Sequence, residues 1–519
     1  MAMAAKQGLV SRSVASCFLF KFSASTKPQV ALFRRSTKVR TYQQRLAPIS
    51  GSIEESDRSP IAAVWREINE ETTLTPGNLN LFRQGKPYSF TDEKVGRVWT
   101  VHPFAFSLKS DADEKKIQLD WEHDGFSWHD PMEVTDEGSF GGVPFLAKSL
   151  RRVWFEMDLG ESRAQILRHG LETLQNDHAS GARQLASKAL EIFRRIVTEV
   201  QGETVETWRS NAQFAAWHLW KNGRESMGAA ILNTLVRGLT LMDKEVSRIE
   251  GGTVTQEFLV RISKQLLDLQ QQRETSPEQT WQSLKPMLTD LARNSSEPIK
   301  IVTLSSSSTV AWCLQQALQL EGLYLDIRIL ESRPLFEGAS MAAKLGESLP
   351  DGSSAGGSKI TVYSDASAAI ASKSADVLLL GADLIAGDGS ISNKVGSLPA
   401  VLSAKYVSSK IRVVVLAELE KILPVPAPAQ DEENDTRELT KAWGSDKVPG
   451  QAAEATLGTG DALPKTPAVK NVYFEWVPAD LVDVYISEDT SRSTQDIIRQ
   501  ADSSRAEVER LFAEEETAV

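Results

Sequence analysis

Residues 381–397 hold an acid and a lysine within a glycine-rich loop. The apolar run just before them, residues 377–380, is typical of a buried strand in a parallel sheet. Asp383 then lies at the carboxyl end of that strand, where open α/β sheets bind ligands. The loop glycines let backbone N–H groups approach an anion, and Asn393 and Lys394 follow them. The stretch favours a site for a phosphorylated small molecule, with a glycine-rich surface turn as the alternative.

Residues 59–74 predict a helix that carries a cluster of carboxylates. A Ser-Pro pair at the start of this stretch supplies an N-cap and a first helical residue. Glu67, Glu70 and Glu71 follow at the spacing i, i+3 and i+4, which places them on one face. Carboxylates this close repel one another unless a cation lies among them. The alternative is a solvated acidic face next to Arg66.

Further residues of the second half of the chain could bind phosphate. Arg224 precedes a helix rich in small residues. Ser305 and Ser306 follow the predicted strand 300–304 at the start of the next helix. Arg333 follows the strand 325–330 and could grip a phosphate with two hydrogen bonds. Ordinary polar helix caps are the alternative for these positions.

Composition limits the class of protein. A chain of 519 residues should form two or three domains. It contains no apolar run near 18 residues, so no membrane span is expected. The net charge of −11 argues against direct nucleic-acid binding. Two cysteines, Cys17 and Cys313, exclude a disulfide framework and indicate a reducing compartment.

The charge is uneven along the chain. Residues 1–53 carry nine Lys and Arg and no acid, so subtracting +9 from −11 leaves −20 for the rest. Such a start is compatible with a mitochondrial transit segment. Residues 13–22 and 29–34 nevertheless read as two strands joined by a turn, which predicts a folded domain from the start. We therefore expect a cytoplasmic protein, with mitochondria as the alternative.

The order of predicted elements divides the chain into three parts. Residues 10–145 are rich in strands, residues 146–295 are helical, and residues 296–519 alternate between strands and helices. Strands that end in polar residues and alternate with helices predict a Rossmann-like, doubly wound parallel sheet. Residues 424–470 are rich in Pro, Ala and acids and predict a disordered insert.

The glutamate helix resembles the Nudix box, an Arg-Glu-x-x-Glu-Glu sequence that follows a glycine-containing loop. Strands at 98–106 and 121–133 extend the resemblance. It implies an α/β/α sandwich in which Glu67, Glu70 and Glu71 hold Mg²⁺ or Mn²⁺ for hydrolysis of diphosphate linkages, as in nucleoside diphosphate derivatives. The chain departs from the pattern at two positions: Thr73 replaces the box glycine, and Asp57 occupies the position at which the motif has a loop glutamate. The loop before the helix is one residue longer than usual.

The second half resembles the alpha, beta and delta subunits of eukaryotic translation initiation factor 2B. Methylthioribose-1-phosphate and ribose-1,5-bisphosphate isomerases are relatives of this family. The motifs that carry the resemblance are 303–310, 331–338, 381–383, 393–396 and 471–481. The resemblance implies that Arg224, Arg333, Asn393 and Lys394 bind phosphate and that Asp383 is the catalytic acid. It also implies pairing through the C-terminal domain, as a homodimer or a family hetero-oligomer.

These features predict a hydrolase-like module joined to a module that binds a phosphorylated sugar or nucleotide. Isomerase chemistry in this family uses a cysteine at the position of Ser305, and a hydroxyl is a far weaker acid than a thiol. Two alternatives remain open at this point. The first is a regulatory or assembly protein that binds without turnover, and the second is an aldose–ketose isomerase of sugar phosphates.

Overall fold

Alternating apolar residues near the start of the chain build the sheet of the N-terminal module. The computed structural model describes residues 9–23, 26–178, 180–200, 202–248, 252–349, 357–427, 434–441, 469–512 and 517–518. The elements of the first module are strands β1 Val10–Ser23, β2 Thr26–Arg35, β3 Leu46–Ala47, β4 Ile49–Ser52, β5 Leu79–Gln84, β6 Tyr88–Asp92, β7 Arg97–Leu108 and β8 His123–His129, and helices α1 Pro60–Thr72 and α2 Asp111–Glu114.

The two long strands of this module run parallel at its centre. β1 pairs with β7 from Val10 to Phe20, and β6 and β5 pair antiparallel with β7. β2 and β4 pair antiparallel with β1, and β8 pairs with β2. The strands that the sequence predicts at 13–22, 29–34 and 98–106 are therefore confirmed. Helix α1 packs its apolar face on this sheet, with Ala63, Val64 and Ile68 fully buried.

Helix α1 begins and ends where local chemistry dictates. The Ser59 hydroxyl accepts a hydrogen bond from the Ala62 N–H, as an N-cap should, and Pro60 occupies the first turn. The helix ends at Thr73, which has a left-handed φ of 61° and donates its N–H to Asn69. A left-handed cap favours glycine, which is the residue that the box has at this position. Thr73 adopts the same conformation at the cost of some backbone strain.

A helical segment follows the N-terminal module. Its helices are α3 Leu146–Arg151, α4 Glu156–Gln175, α5 Ala182–Thr198, α6 Val205–Asn222, α7 Gly228–Val246, α8 Gln256–Glu274 and α9 Ser276–Arg293. Helix α5 buries the apolar stripe that its 3.6-residue period predicts. Helix α4 is broken at Gly160, whose φ is 71°. Leu146 and Leu150 of α3 pack in the same core as Phe18 and Phe20 of β1.

The last part of the chain forms a doubly wound sheet with helices on its faces. The strands in this part of the chain, not all of which belong to that sheet, are β9 Ile299–Leu304, β10 Leu325–Leu330, β11 Lys359–Tyr363, β12 Val377–Gly381, β13 Leu384–Ile385, β14 Ile391–Lys394, β15 Arg412–Leu416, β16 Phe474–Val477, β17 Val484–Ile486, β18 Ser491–Arg492 and β19 Thr517–Ala518. Its helices are α10 Ser308–Leu318, α11 Glu337–Gly346, α12 Ala368–Ala371, α13 Ser397–Val407, α14 Arg437–Thr440 and α15 Thr494–Phe512.

The order of the strands in this sheet shows where its ligand-binding crevice should lie. Neighbouring strands follow the order β11-β10-β9-β12-β15-β17-β18. The chain moves from β9 towards β11 and then returns to the other side of β9 with β12, so the topological switch point lies between β9 and β12. A small antiparallel sheet, β13-β14-β16, carries the residues that follow Asp383. Most of the predicted insert at 424–470 lies outside the described residues.

Polar contacts also join the N-terminal module to the helical segment. The Asn222 side chain bonds to both the N–H and the carbonyl of Gln84, at 2.6 and 2.8 Å. The buried guanidinium of Arg83 bonds Glu156 at 3.0 Å. In addition, β19 near the C-terminus pairs with β6 of the N-terminal sheet. Among the described helices, none is long and apolar enough to cross a membrane.

Candidate functional sites

The carboxylates of helix α1 lie in two different environments. Glu67 and Glu71 are buried, whereas the side chain of Glu70 is 55% exposed. Arg66 bonds Glu67 Oε1 at 2.6 Å and Glu70 Oε2 at 3.2 Å. Its guanidinium also forms a two-bond pair with Asp57, at 2.9 and 3.2 Å. Asp57, which stands at the loop glutamate of the motif, therefore positions Arg66.

The buried carboxylates repel one another. Burial raises the pKa of Glu71 well above its ordinary value, and the charges of Glu67 and Glu122 raise it further. Burial also raises the pKa of Glu67 and of Glu122. The Glu71 Oε2 atom has no hydrogen-bond partner among the described residues and lies 3.4 Å from His123 Nδ1. Burial, together with the charge of Arg35, lowers the pKa of His123 to about 4, so this histidine is neutral at pH 7.

The donor chemistry of this cluster fits a hard divalent cation. Carboxylate oxygens are the ligands that Mg²⁺ and Mn²⁺ prefer. The buried Glu71 oxygen, which has no hydrogen-bond partner among the described residues, suits a ligand of such a cation. Within the described residues, no group of three or more His, Cys, Asp or Glu side chains is already close enough to hold a metal ion. Glu67, Glu71 and Glu122 would therefore have to close around the cation.

A pocket of about 320 Å³ adjoins this cluster. Glu67, Glu122, Arg35 and Arg97 contribute its charged lining. Its aromatic lining consists of Tyr42, Tyr88, Phe90, Trp99 and Phe145. Phe145 has a left-handed φ of 59°, and its ring lies edge-on to Phe90 at 4.8 Å. The pocket can therefore hold a flat apolar group and an anionic group together.

Gly51 allows the carboxylate of Glu67 to reach this pocket. A Cβ atom at Gly51 would lie 1.9 Å from Glu67 Oε1. The sequence pattern had pointed to the glycine loop and to Glu67, but not to Glu122, Arg35 or the aromatic residues. Only the position of Glu122 in the late strand of the motif could have suggested its role.

In the C-terminal module, distant residues converge on Asp383. Burial raises the pKa of its carboxyl, and the positive charges of Lys421, Lys394 and Arg224 oppose this rise. Lys394 lies on β14, and Arg224 lies two residues after the end of α6. Both residues are buried. The structure thus brings together Asp383, Lys394 and Arg224, which the sequence had predicted for one site.

Lys394 and Asn393 have protein partners within this crevice. Lys394 Nζ lies 2.5 Å from Glu337 Oε1 and 4.6 Å from the centre of the Tyr473 ring. The Asn393 amide donates to the Ser397 hydroxyl at 2.9 Å. The backbone N–H groups at the end of the glycine loop also donate hydrogen bonds to an anionic side chain of the protein. The Glu475 carboxylate accepts from Gly396 N at 2.5 Å and from Leu398 N at 3.0 Å. At this point the predicted anion cradle therefore binds a carboxylate of the chain itself.

The remaining predicted residues lie nearer the surface. Ser305 is half-buried with a φ of 68°, and its N–H donates to the Ser332 hydroxyl at 2.7 Å. Ser306 is exposed, and the next serine in the chain caps helix α10. Arg333 is exposed, and its guanidinium lies over the Phe336 ring at 5.4 Å. Ser305 and Ser306 thus lie beside an ordinary helix cap, which was the alternative interpretation.

Sequence reasoning missed a second charged pair in the crevice. Glu418 follows β15 and accepts a hydrogen bond from the Thr309 hydroxyl at 2.5 Å. Its other carboxylate oxygen forms an ion pair with Lys421 Nζ at 3.0 Å. Burial would raise the pKa of Glu418, but Lys421 and Thr309 hold it at about 2. The rule that found Asp383, a polar residue directly after a buried strand, could also have found Glu418.

The cysteine nearest this crevice is not available for proton transfer. Cys313 lies on α10 and is fully buried. Burial and the charge of Glu418 raise the pKa of its thiol far above the ordinary value. The Cys313 thiol is therefore protonated at neutral pH.

Comparisons with known proteins agree with these two regions. The model of the family described as "Initiation factor 2 subunit family" matches residues 178–489, and that of the NUDIX domain matches residues 11–152. A ribose 1,5-bisphosphate isomerase from Haloferax volcanii is 23% identical over 313 residues, which cover 59% of this chain and 83% of that protein.

Two further comparisons match parts of the same region. A methylthioribose-1-phosphate isomerase from Heliobacterium modesticaldum is 30% identical over 168 residues, which cover 30% of this chain and 40% of that protein. This chain therefore spans less than half of that relative. The crystal structure of translation initiation factor eIF-2B from Pyrococcus horikoshii OT3 aligns with a TM-score of 0.44 and 21% identity. The alignment covers 65% of this chain and 99% of that one.

Proposed function

Because the chain belongs to the initiation factor 2 subunit family and carries a NUDIX domain ahead of that region, we propose that it combines two activities. The N-terminal module hydrolyses diphosphate linkages with Mg²⁺ or Mn²⁺. The C-terminal module binds a phosphorylated sugar or nucleotide. A different observation supports each half of this proposal.

The pocket of the N-terminal module carries the first half. It combines the carboxylates Glu67 and Glu122 with the rings of Tyr88, Phe90 and Trp99. A nucleoside diphosphate derivative has the matching groups, since its base can stack on aromatic rings while its diphosphate lies near Arg35. This pairing of an aromatic wall with clustered carboxylates is the observation on which the hydrolase assignment rests.

The residues of this site divide the chemical work. Glu67, Glu71 and Glu122 would hold the divalent cation, which would polarise phosphoryl oxygens and activate a water when bound. The oxygen of water attacks phosphorus, the P–O–P bond breaks, and the second phosphate leaves with the bridging oxygen. Gly51 leaves Glu67 the room to reach the pocket as a ligand of the cation. Arg66 and Asp57 hold the helix face in position.

A substrate panel of nucleoside diphosphate derivatives, assayed with and without Mg²⁺, tests this half. Glu67→Gln should lower the rate by at least about a hundredfold, since it removes a charged ligand of the cation. Glu257→Gln on helix α8 is a matched control because Glu257 also pairs with an arginine on its own helix but is exposed. Equal rates for Glu67→Gln and the unchanged protein would refute the assignment.

The charge arrangement around Asp383 carries the second half. Lys394, Lys421 and Arg224 all act on its carboxyl. Since Lys394 pairs with Glu337 and Lys421 with Glu418, a bound phosphate would take the place of one of these carboxylates, and Asp383 would face a sugar hydroxyl. Titration calorimetry with ribose 5-phosphate tests this binding. Lys394→Ala should weaken binding by about ten- to a hundredfold, because one charge-assisted hydrogen bond is lost. Unchanged affinities for Lys394→Ala and Asp383→Asn would contradict it.

The second alternative is isomerase activity, because proteins similar to this chain are sugar-phosphate isomerases. Proton transfer between neighbouring sugar carbons requires a group of suitable pKa. Ser305 has only a hydroxyl, and the Cys313 thiol is buried with a raised pKa. We therefore expect binding without turnover in this module. Formation of a ketose from ribose 1,5-bisphosphate, followed by nuclear magnetic resonance, would establish the isomerase instead.

We also propose association through the C-terminal module. Helix α13 exposes Leu402 by 51% and Tyr406 by 91%, and their i, i+4 spacing places them side by side. An exposed apolar pair of this kind suits contact with a second copy or a family partner. Light scattering of the purified chain should show a dimer that Tyr406→Glu dissociates. A monomer at the same concentration would exclude the homodimer.

A further inference from the structure

His123 is a buried side chain whose two ring nitrogens form no hydrogen bond with any described residue. It is the first residue of β8, and its side chain is 1% exposed. The Phe33 ring packs edge-on against the imidazole, with 5.4 Å between the ring centres. A buried polar group without a hydrogen bond is unfavourable, so a group that binds this imidazole would stabilise the protein.

The Nδ1 atom of His123 faces a carboxylate that also lacks a partner. Glu71 Oε2 lies 3.4 Å from this nitrogen and has no hydrogen bond with a described residue. Asp120 Oδ1 lies 3.9 Å from the same nitrogen. With the ring proton on Nε2, the lone pairs of Nδ1 and Glu71 Oε2 face each other and repel unless a positive group lies between them. Either a proton or a metal cation can fill that place.

The spacing of the two atoms suits a shared cation. Two neighbouring ligands of an octahedral cation, each about 2.1 Å from it, lie about 3.0 Å apart. His123 Nδ1 and Glu71 Oε2 would reach that separation by a shift of about 0.4 Å. The two residues belong to different elements, since His123 lies on β8 and Glu71 on α1. A cation between them would therefore also join the helix to the sheet.

The charge around this pair favours a metal cation. Four carboxylates lie close together here, those of Glu67, Glu71, Asp120 and Glu122. The guanidinium groups of Arg35 and Arg66 oppose them, and the balance remains negative. In the part of the chain that the structure describes, no three acidic, histidine or cysteine side chains already enclose a metal ion. The carboxylates on the pocket side would have to turn towards the histidine to complete the set of ligands.

We propose that His123 is a nitrogen ligand of the cation that the N-terminal module binds and that it selects Mn²⁺ over Mg²⁺. The inference rests on the proposed metal-dependent function and names its cation. Of these two ions only Mn²⁺ is a transition metal, whose binding an imidazole nitrogen strengthens, whereas Mg²⁺ prefers oxygen atoms alone. Glu71 would bind the same ion through Oε2.

Electron paramagnetic resonance of Mn²⁺ added to the full chain tests the nitrogen directly. Electron spin echo envelope modulation should show that an imidazole ¹⁴N couples to the bound ion. His123→Asn should remove this coupling and lower the affinity for Mn²⁺ at least about tenfold in calorimetry. The affinity for Mg²⁺ should change less than about threefold, because an oxygen shell does not need the imidazole, and its retention shows that the variant is folded.

His129→Asn is the matched control, because His129 lies at the other end of β8 and its Nε2 is 2.8 Å from the Ser127 hydroxyl. This variant should keep the ¹⁴N coupling and both affinities. Bound Mn²⁺ without nitrogen coupling, coupling that persists in His123→Asn, or equal losses of Mn²⁺ and Mg²⁺ affinity in that variant would overturn the role of His123 while leaving a carboxylate site. If neither cation binds to the unchanged protein, the proposed metal-dependent function falls and this inference falls with it.

Discussion

Replacing Lys421 by methionine should destabilise the crevice of the C-terminal module. Lys421 is buried and pairs with the buried Glu418 at 3.0 Å. Methionine has a similar length and apolar stem, so the change removes the charge while it keeps most of the packing. Glu418 then remains as a buried carboxylate without its lysine, and Asp383 loses one of the cations that oppose the rise of its pKa.

The size of the effect follows from the pKa of Glu418. That pKa lies at about 2, against an ordinary value of 4.5. Since one pKa unit corresponds to about 1.4 kcal/mol, the interactions of the ionised Glu418 contribute about 3 kcal/mol at neutral pH. Removal of one partner from a buried ion pair has an effect of about the same size, roughly 3 to 5 kcal/mol.

Hydrogen-exchange mass spectrometry on peptides that cover β15 and the residues after it measures this effect locally. A local readout is needed because a chain with several domains does not unfold in a single step. Lys405→Met is the matched control, since Lys405 pairs with Asp483 at 3.1 Å but both side chains are at least 30% exposed. Such a surface pair contributes about 0 to 1 kcal/mol.

The same pair predicts a dependence on pH. The pKa of Glu418 is depressed in the folded protein, so its contribution is present above pH 4.5 and is lost as the pH falls towards 2. Lys421→Met should remove this acid sensitivity of β15. Equal protection losses in Lys421→Met and Lys405→Met would refute the reasoning. So would a Glu418→Gln/Lys421→Met double variant whose loss equals the sum of the two single losses.

Further changes test other parts of the structure. Gly51→Ala should abolish hydrolysis with little loss of stability, because its methyl group displaces only the flexible end of Glu67; full activity would contradict this. Gly338→Ala places a Cβ 1.8 Å from a backbone oxygen and should destabilise helix α11 by about 3 kcal/mol, measured by hydrogen exchange on peptides that cover this helix. Gly346→Ala, with open space around it, should not have this effect. The Cys313 thiol should react with Ellman's reagent only after denaturation, because it is buried with a raised pKa; reaction in the native protein would refute this.

Local sequence was a sufficient guide to the elements of both modules. The Ser59–Pro60 start of α1 depends on groups within four residues of one another, and the structure contains the cap that these residues predict. The apolar run before Asp383 forms a fully buried strand for the same reason. In the predicted cluster, by contrast, Glu70 points outward to Arg66, because a helical period fixes a face but not the depth of each side chain in the neighbouring sheet.

The sequence by itself determined the two modules, the glutamate helix and the position of Asp383, because these features depend on periodicity and on residues close together in the chain. Only the tertiary structure decided which charges meet. Glu122 joins Glu67 and Glu71, Lys421 and Arg224 join Asp383, and His123 faces Glu71. Such contacts join strands and helices that are far apart in the sequence, and burial then changes the pKa of each group. Neither the long-range pairing nor the burial can be read from the spacing of residues.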